Sequence, residues 1–234
     1  TFIVDTAVYP QTFDVMKTRA SSLGIILLQL PRSEWIFSDD MFGCLLQYPD
    51  ANGEAENLED LVSLAHQSDV KVVMATDLMA LLMLKSPGEM GADVVVGNSQ
   101  RFGVPMGYGG PHAAFFAADE SYKRNFPGRI IGVSLDRSGN RALRMALQTR
   151  EQHIRRDKAT SNICTAQALL AVMASMYAVY HGPHGLRAIA ERIHKRTKSL
   201  ATALGSNSGM TVVNQCYFDT LKIHVKGGTD EINS

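Results

Sequence analysis

The chain has 234 residues, 45% of them hydrophobic and 20% charged, with 23 basic and 23 acidic side chains. This composition predicts a globular protein with one large core, or one core and part of a second domain. A formal net charge of zero argues against nucleic acid or an anionic membrane as the main partner. No apolar run approaches the roughly 18 residues that span a bilayer. Because the chain starts at Thr1 without a methionine and ends, from Gly227-Gly228 onward, without a closing element, we expect a piece of a longer protein.

The first part of the chain is predicted to form strand-helix-strand units. Strands are predicted at 1–5, 25–28, 43–47, 71–75 and 93–96. Helices are predicted at 10–24, 57–65 and 77–84, with Asn57 and Asp77 as caps. Continuous apolar strands that alternate with amphipathic helices favour a mainly parallel sheet covered on both faces.

A glycine-rich stretch, 103–110, follows the strand at 93–96 and precedes an apolar run at 113–118. Glycines at such a turn let backbone N–H groups approach an anionic cofactor. No Lys-Ser or Lys-Thr follows, as a phosphate-binding loop of nucleotide enzymes would require. Taken alone, the motif indicates only a tight turn.

The second part of the chain predicts a hairpin, two long helices and a terminal strand. The hairpin pairs 129–135 with 141–147 around the turn at 136–140. The helices are predicted at 166–180, ended by Gly182-Pro183, and at 186–204, and the strand at 218–225. We therefore expect a large domain at 1–182, and a connecting helix with the start of a small domain at 183–234.

Three cysteines, Cys44, Cys164 and Cys216, lie far apart and form no metal-binding or redox pair. They fit a reducing compartment and are interpreted as small buried hydrophobic residues. Cys164, beside a polar helix start, is left open. His181 and His184 have no acidic or cysteine neighbour, so no metal site is predicted.

Two blocks, 99–117 and 146–167, resemble the N-terminal, non-catalytic half of the glycine cleavage system P-protein family. The resemblance runs from Thr1 to about Val225 and would cover well under half of a full-length single-chain member. It implies the α/β fold of aspartate aminotransferase, pyridoxal-phosphate fold type I. That fold has a large domain with a seven-stranded, mainly parallel mixed sheet, followed by a small C-terminal α/β domain.

The resemblance also implies a function, glycine decarboxylase. The family decarboxylates glycine with pyridoxal phosphate and transfers the aminomethyl group to a lipoyl carrier protein. Two similar halves pair, and the catalytic half carries a His-Lys pair before its glycine-rich turn and an aspartate on an earlier strand. The matching positions here are Ser99-Gln100 and Ala75.

These replacements exclude covalent cofactor chemistry at the matched positions. An amide cannot form the covalent bond that a lysine amine makes with the cofactor aldehyde, and a methyl group cannot hold a proton on the pyridine nitrogen. We therefore predict no catalytic residue in this chain and expect the other half to bind pyridoxal phosphate.

Asp77 is placed on the opposite phase of the strand from Ala75 and is interpreted as a helix cap, although it could stand in for the missing aspartate. Lys85 and Lys123 are interpreted as solvated surface charges.

Four residues are candidates for contact with the cofactor of the partner half. Thr160, Ser161 and Asn162 offer hydroxyl, amide and N–H groups before a helix, although simple helix capping is an equal alternative. Tyr108 could present its ring or hydroxyl at the mouth of the neighbouring site.

A cationic cluster suits carboxylates or an acidic carrier, but mixed charge of this density is also typical of a solvated or interface face. Its members are Arg150, His153, Arg155 and Arg156.

Two other functions stay open at this point: an independent pyridoxal-phosphate enzyme with an unrecognised lysine, and a non-enzymatic module that docks the lipoyl carrier. Bacterial cytoplasm and mitochondrial matrix both suit the family.

Overall fold

The computed structural model describes residues 1–126, 128–147, 151–159, 164–207 and 209–228. Within these ranges the largest sheet has six strands in the order β2-β1-β3-β4-β5-β6. The strands are β1 Phe2–Asp5, β2 Leu27–Leu30, β3 Gly43–Tyr48, β4 Lys71–Asp77, β5 Val94–Asn98 and β6 Ala114–Ala118. The first five are parallel, and β6 runs antiparallel to β5. The resemblance implied seven strands, and the described residues form six of this sheet.

Four α-helices connect or follow the strands in the described ranges. They are α1 Pro10–Ser21, α2 Glu59–Gln67, α3 Gln152–Arg155 and α4 Ala168–Gly205. Single 3-10 turns lie at Arg32–Glu34, Ala80–Leu82, Glu120–Tyr122 and Arg156–Lys158. Proline begins α1, where its missing N–H is not needed by the helix. None of the described helices is both long enough and apolar enough to cross a membrane.

Alternate residues of each strand point to opposite sides of the sheet, and in the central strands both sets pack into core clusters. On one face Leu46 and Met74 pack with Val62 of α2. On the other face Val4 and Leu45 form a separate core cluster. Partly buried Phe13 and Met16 of α1 pack against that second cluster. The predicted, doubly covered, mainly parallel sheet is confirmed.

Helix α4 is interrupted at Gly182, whose φ of 62° is outside the helical region and which precedes Pro183. The break lies where the sequence predicted the end of one helix and the start of another. In the second half of α4, Ala190 packs with Phe218 and with Met79, just beyond β4. The division into domains at residue 182 stays a prediction.

Two small antiparallel sheets complete the described structure. One pairs β7 Ile130–Leu135 with β8 Arg141–Leu147, which is the predicted hairpin. The other pairs β9 Met210–Val212 with β10 Ile223–Val225.

A segment before β10 closes over the loop that follows β3. Glu54 accepts hydrogen bonds from the backbone N–H groups of Gln215 and Cys216, at 3.1 and 2.7 Å. Asn214 donates from its side chain to the backbone oxygen of Asn52 at 2.9 Å, across a sequence separation of 162 residues.

Several predicted boundaries were wrong. Strand β2 lies at Leu27–Leu30 rather than 25–28, because Gly24, with a φ of 66°, and the two residues after it lead the chain out of α1. Strand β4 continues to Asp77 because Thr76 and Asp77 pair with β5. The predicted helix 77–84 is therefore reduced to the 3-10 turn at Ala80–Leu82.

Predicted caps and cysteine positions are corrected in part. Helix α2 begins at Glu59, whose N–H donates to Oδ1 of Asn57 at 3.0 Å, so Asn57 supports the helix start from outside it. Cys44 is buried in β3, as expected. Cys216 is exposed, so interpreting it as a buried hydrophobic residue was wrong, and Cys164, which was left open, is exposed as well.

Candidate functional site

A cavity of about 530 Å³ opens at the carboxyl ends of β3, β4 and β5. Its floor includes a row of three residues in register across the strands, Gln47, Ala75 and Val96. Ligands of open α/β sheets bind at this edge, because loops diverge there and leave a crevice. The lining also includes Tyr9 before α1 and Asp219 of the terminal segment.

The two positions matched to the missing lysine and aspartate both line this cavity. Gln100 lies in the turn after β5, where its N–H donates to Oδ1 of Asn98 at 3.1 Å. Its backbone oxygen accepts from the N–H of Val104 at 3.0 Å. Ala75 lies in β4 between Gln47 and Val96. The structure thus brings together the two residues that the sequence singled out, and neither side chain carries an ionisable group.

Asp77 lies on the same face of β4 as Ala75, because residues two apart in a strand point to the same side. The expectation that it lies on the opposite phase was wrong. One oxygen of Asp77 accepts the N–H of Met79 at 2.9 Å, which fits the predicted capping role. The other oxygen forms an ion pair with Arg101. Both carboxylate oxygens of Asp77 therefore already have partners within this chain.

Arg101 joins the sheet edge to the terminal segment. Besides Asp77, its guanidinium contacts Oδ2 of Asp219 at 2.7 Å and lies 5.4 Å from the centre of the Phe218 ring. Two carboxylates thus share one cation at the mouth of the cavity. Sequence reasoning missed this pair, since 118 positions separate Arg101 from Asp219 and no local pattern links them.

A second cluster of charges adjoins the cavity through Asp50, which lines it. Arg32 forms ion pairs with Asp5 at 2.9 Å, with Asp50 at 3.3 Å and with Glu56. Burial raises the pKa of the Asp5 carboxyl, and the N–H of Ala7 and the Arg32 cation oppose that rise. Among the described residues, one guanidinium therefore pairs with three carboxylates in this cluster.

The pKa of the Tyr9 hydroxyl is raised in this cavity. Burial raises this pKa, and the carboxylates of Asp219, Asp77 and Asp50 raise it further. The nearby Arg101 cation lowers it.

The glycine-rich stretch between β5 and β6 lies at the surface. Gly103, with a φ of 77°, packs so closely on Tyr177 that a Cβ there would lie 2.7 Å from the ring. Gly110 donates its N–H to the oxygen of Gly107 at 2.9 Å, which forms the tight turn. Tyr108, within that turn, is 91% exposed and does not line the cavity.

The predicted cationic cluster is only partly described. Arg150 lies outside the described residues, as do Thr160, Ser161 and Asn162. His153 lies 3.3 Å from Glu151, which is almost fully buried. The main partner of Glu151 is Arg129, whose Nε contacts the two carboxylate oxygens at 2.9 and 2.7 Å.

The two lysines considered as alternatives lie at the surface, as predicted. Lys85 pairs with Glu59, and Lys123 pairs with Glu120 at 2.7 Å. No lysine is among the described residues that line the cavity. In the described ranges no group of three or more histidine, cysteine or acidic side chains could hold a metal ion.

The model of the glycine cleavage system P-protein family matches residues 1–233. The chain belongs to this family. It is 56% identical over 231 residues to glycine dehydrogenase (decarboxylating) 2 of Colwellia psychrerythraea and 58% identical over 231 residues to glycine dehydrogenase (decarboxylating) of Idiomarina loihiensis. Each comparison covers 99% of this chain and 24% of the relative, so the chain spans about a quarter of these P-protein family members.

Solved structures agree with this family assignment. A crystal structure of glycine decarboxylase (P-protein) of the glycine cleavage system, in inhibitor-bound form, matches with a TM-score of 0.83 and 34% identity. The match covers 93% of this chain and 51% of that chain. A sphingosine-1-phosphate lyase of Burkholderia pseudomallei matches with a TM-score of 0.64 at 14% identity, which shows the fold alone. The predicted family and the predicted pyridoxal-phosphate fold type I are confirmed.

Proposed function

We propose that this chain is part of glycine decarboxylase, within the half that lacks the cofactor lysine. The observation that supports the proposal is the pair Gln100 and Ala75 in the cavity at the carboxyl edge of the sheet. Pyridoxal phosphate does not fit the chemistry of this cavity. No lysine is among its described lining residues, and Asp77 is paired with Arg101.

In the proposed enzyme, glycine loses carbon dioxide and its aminomethyl group passes to the lipoyl disulfide of a carrier protein. The other half would bind the cofactor, which supplies the electron sink for the decarboxylation. This half would fold against it as one member of a dimer-like pair, fused or separate. The bacterial origins of the two relatives favour the bacterial cytoplasm over the mitochondrial matrix as the compartment.

The proposal is tested by locating the cofactor in the assembled enzyme. Borohydride reduction fixes pyridoxal phosphate to its lysine, and peptide mapping by mass spectrometry then identifies that lysine. We expect one cofactor for each pair of halves, on a lysine outside residues 1–234. A pyridoxyl group on Lys85, Lys123 or any other lysine of this chain would favour the independent enzyme instead.

We also propose that Thr160, Ser161 and Asn162 contact the cofactor phosphate of the partner half, with Tyr108 near its mouth. The support is chemical: hydroxyl, amide and N–H groups precede α4, and anions are stabilised at such positions. The exposure of Tyr108 leaves its ring available to a neighbour.

The double variant Thr160→Ala, Ser161→Ala is expected to weaken pyridoxal phosphate binding at least about tenfold, the effect of losing a hydrogen bond to a charged group. The measurement is the absorbance of the reconstituted cofactor as a function of its concentration. The matched control is Ser199→Ala, Thr202→Ala, which removes two exposed hydroxyls that bond only to the backbone of α4. Equal affinity of both double variants would contradict this contact.

A further inference from the structure

We infer that the cavity at the carboxyl ends of β3, β4 and β5 is a non-covalent binding site for a small organic cation. The inference concerns a second site, in the half proposed to lack the cofactor, and it goes beyond the proposed function. It depends on a buried amide without a partner, on the charge of the lining and on the size of the space.

Gln47 is the first observation. Its residue is 7% exposed, and it lies in register with Ala75 on the cavity floor. Among the described residues its side-chain amide has no hydrogen-bond partner. The amide nitrogen and oxygen can be reached from the cavity, so both are available to a ligand. The amide offers both a donor and an acceptor, so it can bind a hydroxyl group.

The charge of the lining is the second observation. Three carboxylates, Asp50, Asp77 and Asp219, line the cavity together with one guanidinium, that of Arg101. Arg101 is shared by Asp77 and Asp219, and Asp50 shares Arg32 with two further carboxylates. Among the described residues of these two clusters, the carboxylates therefore outnumber the guanidinium groups. A cation is attracted to this cavity, whereas a phosphate or a carboxylate is repelled.

The space of about 530 Å³ is of the size that holds small molecules in proteins. Besides the acidic residues, the lining includes Asn98 and Gln100, whose amide groups can form hydrogen bonds with a ligand. The ligand class that fits is a small ammonium compound with a neutral hydrogen-bonding group such as a hydroxyl.

The test uses the assembled protein and N,N-dimethylethanolamine, measured by isothermal titration calorimetry. Its tertiary nitrogen is protonated at neutral pH and cannot form an imine with the cofactor of the other half. The matched neutral compound is 3-methyl-1-butanol, in which a C–H group replaces the charged N–H group. We expect saturable binding of one cation to each copy of this chain, at least about tenfold tighter than the alcohol.

Two variants locate the binding. Gln47→Leu removes the amide and is expected to weaken cation binding at least about tenfold. Gln67→Leu, at the exposed end of α2, is the control and should bind as the unchanged protein does.

The inference is overturned by equal binding of the cation and the alcohol, by the absence of saturable binding, by binding of inorganic phosphate that competes with the cation, or by unchanged binding in a folded Gln47→Leu variant. If that variant does not fold, the ratio of the affinities of the cation and the alcohol for the unchanged protein decides whether the inference holds. The measurement needs no turnover, so its failure and the failure of the proposed function are distinguishable.

Discussion

Arg101 joins Asp77 of β4 to Asp219 of the terminal segment at the carboxyl edge of the sheet. Its side chain is 34% exposed, so water weakens both ion pairs. Replacing Arg101 by methionine keeps much of the volume but leaves two nearby carboxylates without their shared cation. We expect a loss of about 1–2 kcal/mol in the free energy of unfolding.

This loss is measured by urea denaturation of the assembled protein, followed by circular dichroism. Arg19→Met, on the exposed side of α1, is the control and should change the free energy of unfolding by no more than about 0.5 kcal/mol. Equal stability of the two variants would show that the pairs of Arg101 contribute nothing.

Cys44 is expected to react with thiol reagents much more slowly than Cys164 and Cys216. Burial raises the pKa of Cys44 to about 12, and the negative charge of Asp93 adds to this rise. At pH 8 only about one Cys44 thiol in 10⁴ is then ionised, and the thiolate is the reactive form. A neutral disulfide such as 2,2′-dithiodipyridine should label Cys164 and Cys216 in the folded chain and Cys44 only after unfolding.

Peptide mapping after timed labelling measures these reactivities. Labelling of Cys44 at the rate of the exposed thiols would contradict the burial of Cys44.

The raised pKa of Cys44 also makes the stability of the chain depend on pH. The pKa of Cys44 in the folded chain lies above the unfolded value of 9.0. The stabilisation gained by burying the neutral thiol is therefore complete below about pH 9 and is lost as the pH rises to about 12.

Sequence reasoning found the residues of the site that occupy matched motif positions, Gln100 and Ala75, because their identity alone carries the chemical argument. It did not find Arg101, Asp219 or the unpartnered amide of Gln47. The role of each of these side chains depends on neighbours distant in sequence. The sequence around a charged residue near a glycine-rich turn does not show whether that residue is solvated or forms an ion pair.

At the level of elements, Gly97 shows how closely β4 and β5 approach beside the cavity. It pairs with Thr76, and a Cβ added at Gly97 would lie 2.3 Å from the backbone oxygen of Thr76 and 2.5 Å from the ring of Phe115. We expect Gly97→Ala to lower the free energy of unfolding by about 1–3 kcal/mol, because strand and ring must both move.

Gly88→Ala is the matched control. A Cβ at Gly88 meets nothing within 4 Å, and the residue does not have a positive φ. This variant should be neutral or gain up to about 1 kcal/mol. Thermal unfolding of the two variants measures the difference, and an equal melting temperature would contradict the close approach.

The predicted elements were right where the local sequence pattern determines the structure. They were wrong where pairing with another strand determines the end of an element. The hairpin of β7 and β8 follows from two apolar runs around a polar turn, and Gly182-Pro183 marks the break in α4 without any tertiary information. The end of β4 could not be predicted, since Thr76 and Asp77 are held in a strand by β5 rather than by their own propensity.

At the level of the whole molecule, the first half of α4 presents an apolar stripe to solvent. Its members recur at helical spacing and are exposed: Leu169, Val172, Met176, Val179 and Tyr180. If this chain pairs with a second half, as proposed, such a face is suited to the contact between them. Met176→Glu should then weaken the assembly at least about tenfold, since a buried charge would replace an apolar contact.

Analytical ultracentrifugation of the assembled enzyme measures this effect. Leu200→Glu is the matched control, because Leu200 is similarly exposed on the same helix, at 54% against 58% for Met176, but lies outside the stripe. Dissociation of both variants to the same extent would show that the stripe has no special part in assembly.

The hydrogen bonds between Glu54 and the backbone of Gln215 and Cys216 also set an order of events during synthesis. The acceptor leaves the ribosome long before its donors do. At about 5–20 residues per second, translation of the intervening 162 residues takes roughly 10–30 seconds. During that interval the nascent chain can pair its early strands but cannot close the loop after β3, so a ribosome-bound chain stalled before residue 215 should remain open to protease at that loop.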